Sequence, residues 1–461
     1  MNPSGDNVKR LIWLYFWLLI LEGALRKWML PGLSSPLLLV RDPVAIAIYL
    51  LAAAHGRFPR SPFLPWIYGL ACASFFASFA GEGNLKVSLF GLHANFLHLP
   101  LIFVVAEYFD LEEVKKMGKW LLVLLVPMAF IAVLQFRGGP DARINVGAGG
   151  EIGGQLFAAT GRVRASGTFS FVTGLVSFLA LSAAFLIYHF LEKKVYPRVL
   201  AWVALPALVL ALGVCGSRSA VAAVSLVMAA ACLVCLRSWE KFGTVLVRGL
   251  SIYLVFLALN HSDIFRAGVE VQRSRFESAG GVKDGIVERY FGEFASALHA
   301  AKGAPLLGTG LGMGTSAGAA ILTQERKFLL GEGEWSRVLL ELGPILGSFF
   351  LLLRMALIGT GFFLGLRALG QGQILPLLLL AMSGLEMLTG QFGQSTSLGF
   401  AVLGMGLTLA STRVLGLPDP LAEASALSGS QTALPLHRAD SPRKPGRSRY
   451  AEALHGNRQA P

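Results

Sequence analysis

The chain has 461 residues, of which 54% are hydrophobic and only 15% charged, and its mean hydropathy is +0.61. Soluble domains carry about 25% charged residues, so a soluble globular enzyme is excluded. An outer-membrane barrel is excluded too, because the strand alternation it needs is absent. The net charge of +13 comes from arginines outside the apolar stretches and from a basic tail. It suits a membrane surface or an anionic substrate, and nucleic acid is no partner for so apolar a chain.

From the N-terminus onward, about twelve apolar stretches are long enough to span a bilayer as helices. They lie near 11–30, 37–54, 63–81, 95–109, 120–136, 169–191, 199–215, 219–236, 243–259, 338–366, 374–390 and 396–415. The fourth is short and its start is open. The expected fold is therefore all-α: a polytopic integral membrane protein of about twelve transmembrane helices, with a large extracytoplasmic loop before the tenth. Residues 1–417 form the transmembrane domain, including that loop at 260–337. Residues 418–461, rich in Pro, Ser, Ala, Arg and Gly, form a disordered basic cytoplasmic tail. The first stretch is long enough to span and lacks a small-residue cleavage site, so no cleavable signal peptide is expected. No internal repeat is visible, which disfavours transporter folds built from repeats. Cys232 and Cys235 lie in an apolar helix and read as packing residues.

Lys and Arg in the short loops favour a cytoplasmic N-terminus. Lys9, Arg10, Arg57, Arg60, Lys115, Lys116 and Lys119 then fall inside, as does the basic tail. The bias is modest without the tail. The segment 260–337 comes out extracytoplasmic, and so does a set of arginines against the rule's preference. Arg162 and Arg164 lie in GRVRASGTFSF, entering the sixth stretch. Arg218 lies in CGSRSA, between the seventh and eighth. A tight Gly-Ser-Arg-Ser turn leaves backbone N–H groups free at a helix start. With a guanidinium beside them, such groups bind phosphate. The plainer alternative is an interfacial arginine reaching for headgroups.

Other charges look structural. Glu22 and Arg26 are four apart and can pair on one helix face, and Arg41 and Asp42 read as a second pair. Arg354 and Glu386 sit at matching depths on consecutive antiparallel stretches, about 20 Å above the inner surface at ~1.5 Å per residue. An intramembrane ion pair between them is expected. His93 and His98 are five apart, a poor spacing for two ligands on one α-helix face. His261 and His299 have no companions either, so no metal site is expected.

The stretch 303–347 concentrates the remaining signal. It reads GAPLLGTGLGMGT, a linker, then GEGEWSRVLLELGPILG running into an apolar helix. So much glycine cannot be a helix interior. It marks a backbone that turns tightly or comes close to a ligand. Glu332, Glu334 and Arg337 stand directly before the apolar run, where charges are candidate site residues. The glutamates have a simpler role open to them as caps of a helix N-terminus.

With these motifs in order, the chain resembles the bacterial O-antigen ligase and O-antigen polymerase superfamily. RASGTFSF, the GSRSA turn, PLLGTGLGMGT and ExGxW…LLELGPILG carry the resemblance, which spans about 162–347. EGALRKW and GLHANFLHLPLIF near the N-terminus are similar to uncharacterised members. The family's ligases usually carry a histidine eleven residues before the first glycine of a Gly-x-x-Gly. Here Glu332 stands eleven before Gly343, and the pattern is Gly-x-x-x-Gly. That favours a polymerase or an uncharacterised branch over a ligase.

The resemblance implies a metal-independent glycosyltransferase without cofactors, in the bacterial cytoplasmic (inner) membrane. Its donor would be an undecaprenyl-pyrophosphate-linked glycan and its acceptor a hydroxyl of a glycan or lipid. Pyrophosphate is a good leaving group, so the protein must chiefly orient it and neutralise charge. Arg218, Arg164, Arg337 and Arg162 are the expected phosphate-binding residues, since arginine's fork contacts phosphate oxygens in pairs. Gly310 and Gly312 are expected to let backbone approach the substrate. Glu332 or Glu334 is the expected general base, replacing the family's histidine. A transporter or flippase of a lipid-linked glycan is the alternative, and a non-catalytic assembly component is a third possibility.

Overall fold

A computed structural model describes residues 3–81, 84–153, 161–192, 195–236, 239–278, 282–323, 330 and 333–413. Glu332 and the tail 418–461 therefore lie outside the described residues. Among the described residues the regular structure is all-helical, with no strand. In chain order the α-helices are α1 (Pro3–Ala24), α2 (Ser34–Leu37), α3 (Arg41–Ala54), α4 (Phe63–Ser78), α5 (Leu85–Leu92), α6 (Leu101–Tyr108), α7 (Leu111–Arg137), α8 (Val172–Leu191) and α9 (Arg198–Val214). They continue as α10 (Arg218–Leu236), α11 (Trp239–Leu259), α12 (Asp263–Glu277), α13 (Val282–Gly303), α14 (Ser316–Thr323), α15 (Glu334–Gly370), α16 (Leu375–Thr389) and α17 (Ser395–Thr412).

Among the described residues, seven helical segments are long and apolar enough to cross a membrane: 31–54, 85–108, 111–137, 172–191, 218–235, 334–370 and 395–412. Four shorter apolar helices accompany them. The packing is graded. In α8 and α17 nearly every residue is buried, and α17 packs against both α6 and α16. Leu50, Phe76, Phe130, Leu233, Val247 and Phe363 stand exposed on the outer helices. Apolar helices that keep such side chains outward need an apolar surrounding, which lipid supplies.

Local chemistry sets several boundaries. Asp110 caps α7 by accepting from the Glu113 amide at 2.8 Å, the N-cap role short acidic side chains serve best. Asn84 caps α5 by accepting from the Lys86 and Val87 amides. Between α5 and α6 the segment His93–Leu97 is a π-turn, whose bonds run to the fifth residue. That corrects the spacing argument for the histidines. A π-turn returns residues five apart to one face, so the His93 and His98 rings lie 5.5 Å apart, both against Asp42. Arg41 turns away from Asp42 to pair with Glu22 at 3.1 Å. The expected Arg41–Asp42 pair is thus replaced. Glu22 also holds Arg26 at 3.3 Å, four residues on, as the spacing indicates.

The longest helix, α15, is broken. Gly343 adopts φ 75° and ψ 167°, in the left-handed region that only glycine enters freely. Pro344 follows without an N–H to give. A short first half, Glu334–Leu342, therefore meets the long apolar second half at an angle set by two residues.

Candidate functional site

A cavity of about 1560 Å³ opens between α8, α10, α12, α13, the first half of α15 and the α16–α17 turn. Its walls are unusually polar for an apolar protein. Arg164 comes from the segment before α8, and Ser217 and Ser219 from the start of α10. Arg275 comes from the end of α12, and Glu293, Ser296, His299 and Lys302 from α13. These α13 positions recur every three residues, a spacing that drifts by about 60° per step, so the lining winds partway around the helix from Glu293 to Lys302. Thr173, Glu386, Gln391 and Gln394 close the far side. Thr173 donates to Gln394 Oε1 at 2.8 Å, and Ser177 donates to Glu386 Oε1 at 2.6 Å.

The α10 end of the cavity is built by the GSRSA turn. Gly216 takes φ 59°, which lets the chain reverse into α10 at Arg218. Ser217 and Ser219 then face the cavity. Arg218 does not line it. Its Nη1 donates to the Arg275 carbonyl at 3.1 Å, tying α12 to the turn. Arg218 therefore positions Arg275 and does not itself line the cavity, whereas the sequence led one to expect it to bind phosphate there. Arg162 is exposed on the outside, with its guanidinium 5.5 Å from the Phe136 ring. Arg164, two residues on, is the one arginine of the four expected that lines the cavity.

Behind the cavity wall lies a buried charge cluster. Glu334 receives Nε and Nη2 of Arg337, each at 2.9 Å, and Nη1 of Arg354 at 2.7 Å. Arg337 also pairs with Glu341 at 2.8 Å and donates to Asn95 Oδ1 at 2.9 Å. Arg354 completes its fork on the Met387 and Gly390 carbonyls and lies 3.8 Å from the Phe392 ring centroid. All four charged side chains are at most 4% exposed. Two corrections follow. Arg354 pairs with Glu334 and not with Glu386. Arg337 is sealed inside the cluster and does not line the cavity. Glu334 lines the cavity, but two guanidinium groups occupy its carboxylate.

The glycine stretch has a different use from the one expected. Breaking α15 at Gly343–Pro344 strips carbonyls of their intrahelical partners. Loop amides fill them: Thr309 N donates to Leu340 O at 2.9 Å and Gly310 N to Glu341 O at 3.1 Å. Gly312 and Gly314 donate to the two Glu341 carboxylate oxygens at 3.2 and 2.8 Å, and Leu311 N to Ser78 Oγ at 2.9 Å. A Cβ on Gly308 would come within 2.2 Å of the Glu341 carbonyl, and one on Gly312 within 2.4 Å of the Val87 carbonyl. Gly310 and Gly312 thus seat protein against protein, outside the cavity.

Three charged cavity residues were not singled out from the sequence, Arg275, Glu293 and Lys302, and His299 was weighed only as a metal ligand. On α13, Glu293, His299 and Lys302 show only as polar groups at multiples of three within a weakly amphipathic helix, and Arg275 as one of several charges near the end of α12. Glu293 stands out chemically. It accepts from the Trp335 amide at 3.3 Å, and burial pushes its carboxyl above the ordinary range despite that bond. Trp335 itself packs edge-on against Phe294, 4.2 Å between ring centroids, and donates to the Leu388 carbonyl.

No family model and no curated protein matches the chain.

Proposed function

We propose that this protein transfers a glycan from an undecaprenyl-pyrophosphate-linked donor to an acceptor hydroxyl, in the manner of O-antigen polymerases and ligases. The reaction would run at the outer face of a bacterial cytoplasmic membrane. About twelve membrane crossings, cytoplasmic termini and an extracytoplasmic segment 260–337 belong to the same proposal. The observation that carries it is the cavity, where Arg164, Arg275, Lys302 and the serine-bearing start of α10 surround one space with carboxylates. Its volume of about 1560 Å³ exceeds the ~300–1,000 Å³ usual for small-molecule sites and suits an oligosaccharide diphosphate.

In this reading Arg164 and Arg275 grip the pyrophosphate, aided by the N-terminal amides of α10. Lys302 and His299 stand exposed at the rim, within reach of incoming sugar. The acceptor oxygen attacks the anomeric carbon while its proton passes to a carboxylate. The anomeric C–O bond breaks and its electron pair leaves with the lipid pyrophosphate. Glu293 is the carboxylate best suited to take that proton. It lines the cavity, and its raised proton affinity brings it nearer working pH. Glu334 is committed to Arg337 and Arg354, so its part is to brace the wall.

The test is turnover of a synthetic undecaprenyl-pyrophosphate oligosaccharide by purified full-length protein, read as release of the lipid pyrophosphate. Wild type should release it, and Arg164→Ala should release it roughly tenfold more slowly or worse at an equal, subsaturating donor concentration. No release by wild type, or equal release by Arg164→Ala, would overturn the reading. Topology is checked separately. A cysteine at Ser278 should react with an impermeant reagent in intact cells, and one at Ser441 should not.

A further inference from the structure

Away from the cavity, three ligand-type side chains converge where α3 meets the π-turn. His93 Nδ1 lies 2.8 Å from Asp42 Oδ2, and His98 Nε2 lies 3.1 Å from Asp42 Oδ1. All three donor atoms fall within 4.8 Å of one another. We infer that Asp42, His93 and His98 form a binding site for a divalent transition-metal ion.

Three features separate this group from a carboxylate that merely receives two imidazole protons. His93 Nδ1 is buried and makes no hydrogen bond, although a carboxylate oxygen is 2.8 Å away. Its ring nitrogen is near the oxygen but is not aligned on it, as for two ligands sharing a third centre. Next, the two rings stand 5.5 Å apart at 78°. Two imidazoles on one ion, each bound at about 2.0–2.1 Å, put their centroids roughly 5 Å apart at tetrahedral angles. Finally, the second ring is already oriented. Tyr15 Oη lies 3.2 Å from His98 Nδ1 and takes a hydrogen bond from Arg41 Nη1 at 3.2 Å. Arg41 in turn is fixed by Glu22 at 3.1 Å and by the Ser395 carbonyl. A polar partner on the far nitrogen of a metal-bound imidazole is the usual outer-shell arrangement.

The donor set narrows the ion. Two imidazoles and a carboxylate suit zinc and its first-row neighbours, while calcium and magnesium want oxygen ligands. Three protein donors leave a position for water, as Asp42 retains some exposure. The π-turn is the device that makes the set. In a regular α-helix, residues five apart diverge by well over a right angle. A bound ion would fasten α3 to the π-turn and, through Tyr15, to α1. The Asn95 side chain on the same turn accepts from Arg337, so the fastening would also hold one partner of the buried charge cluster. The site rests on this geometry alone and stands whether or not the cavity transfers glycans.

The experiment uses the full-length chain in detergent, prepared without a polyhistidine tag and stripped with a chelator. Titration with Co²⁺ should give a visible d–d absorption that saturates at one ion per chain and is bleached by Zn²⁺. His93→Gln and Asp42→Asn should each weaken binding by more than ~100-fold, beyond the 10–100-fold typical of lost outer-shell partners. Tyr15→Phe should weaken it by about 10-fold, and His261→Gln should leave it unchanged. Zinc should raise the Tm of wild type and not of the ligand variants. Should those variants fail to accumulate, X-ray absorption of the zinc-loaded wild type still decides, with two imidazole ligands expected. Absence of a saturable Co²⁺ band in wild type, retention of binding in His93→Gln and Asp42→Asn, or a zinc shell without two imidazoles would each overturn the assignment.

Discussion

Glu334→Gln separates a structural carboxylate from a catalytic one. Glu334 is 1% exposed and receives three charged hydrogen bonds, at 2.9, 2.9 and 2.7 Å. Among the described residues its cluster holds two carboxylates, Glu334 and Glu341, and two guanidinium groups, Arg337 and Arg354. Glutamine keeps the shape but leaves one buried positive charge without compensation. Breaking a buried pair in this way costs about 3–5 kcal/mol. The second arm restores neutrality: Glu334→Gln with Arg354→Met removes one charge of each sign. The double variant still forfeits the Arg354 bonds to the Met387 and Gly390 carbonyls, at about 1 kcal/mol each. It should nevertheless be more stable than Glu334→Gln alone, with a coupling of roughly 1–3 kcal/mol. Denaturant unfolding in detergent, combined with size-exclusion profiles, measures all four corners of the cycle. Glu334→Gln within about 1 kcal/mol of wild type, or a double variant less stable than the single, would refute the argument. Glu334 would then be free to act as the proton acceptor.

Three further expectations follow from the same geometry. Glu293→Gln should lower turnover by about 100-fold or more with little change in donor binding, measured as kcat against KM. Its carboxyl is raised by burial, so its stability contribution is full below the ordinary glutamate range and is lost as pH rises through the raised value. Thermal midpoints should accordingly fall with pH across that window in wild type and not in Glu293→Gln. Arg164→Ala should raise KM for the donor by at least ~10-fold and Arg162→Ala by less than ~2-fold, since removing a charged hydrogen bond is worth about 1.5–3 kcal/mol and Arg162 lies outside the cavity. Arg218→Lys should fall between them if it acts through Arg275, and equality with Arg164→Ala in the same kinetic assay would argue for direct substrate contact. Gly308→Ala should destabilise by roughly 2–5 kcal/mol, combining left-handed strain of ~1–2 kcal/mol with overpacking of ~1–3 kcal/mol. Gly303→Ala, where a Cβ meets nothing within 4 Å, should leave the unfolding midpoint within a degree or two.

The helical class was legible because hydropathy over twenty residues needs no knowledge of neighbours. Among the described residues each apolar stretch falls largely on helix, and the Glu22–Arg26 pair followed from spacing within one. Partners across helices were not legible. Arg354 has two glutamates within plausible reach by depth, and only the break at Gly343–Pro344, which tips the start of α15, selects Glu334. The histidine pair was misread because a π-turn has no sequence signature comparable to proline or glycine. The glycine stretch announced close approach correctly and its object wrongly. A Gly-x-Gly repeat lets backbone come near something, and nothing local distinguishes a ligand from Glu341. Glu293 and Arg275 stayed hidden because polar residues on an amphipathic helix ordinarily face water.

The seam between Ser78 and Leu311 also sets a clock. The bonded groups are 233 positions apart, and a chain grows at about 5–20 residues per second. The ends of α4 and α5, against which Gly308–Gly312 later close, are therefore made roughly 10–50 s before their partner emerges. Throughout that interval Gly91 presents bare backbone, and Ser78 lacks the amide it will accept from. The early helices cannot reach their final packing as they are synthesised. Assembly of the first half must wait for the second, and a chain interrupted before residue 311 would leave that seam open in the membrane.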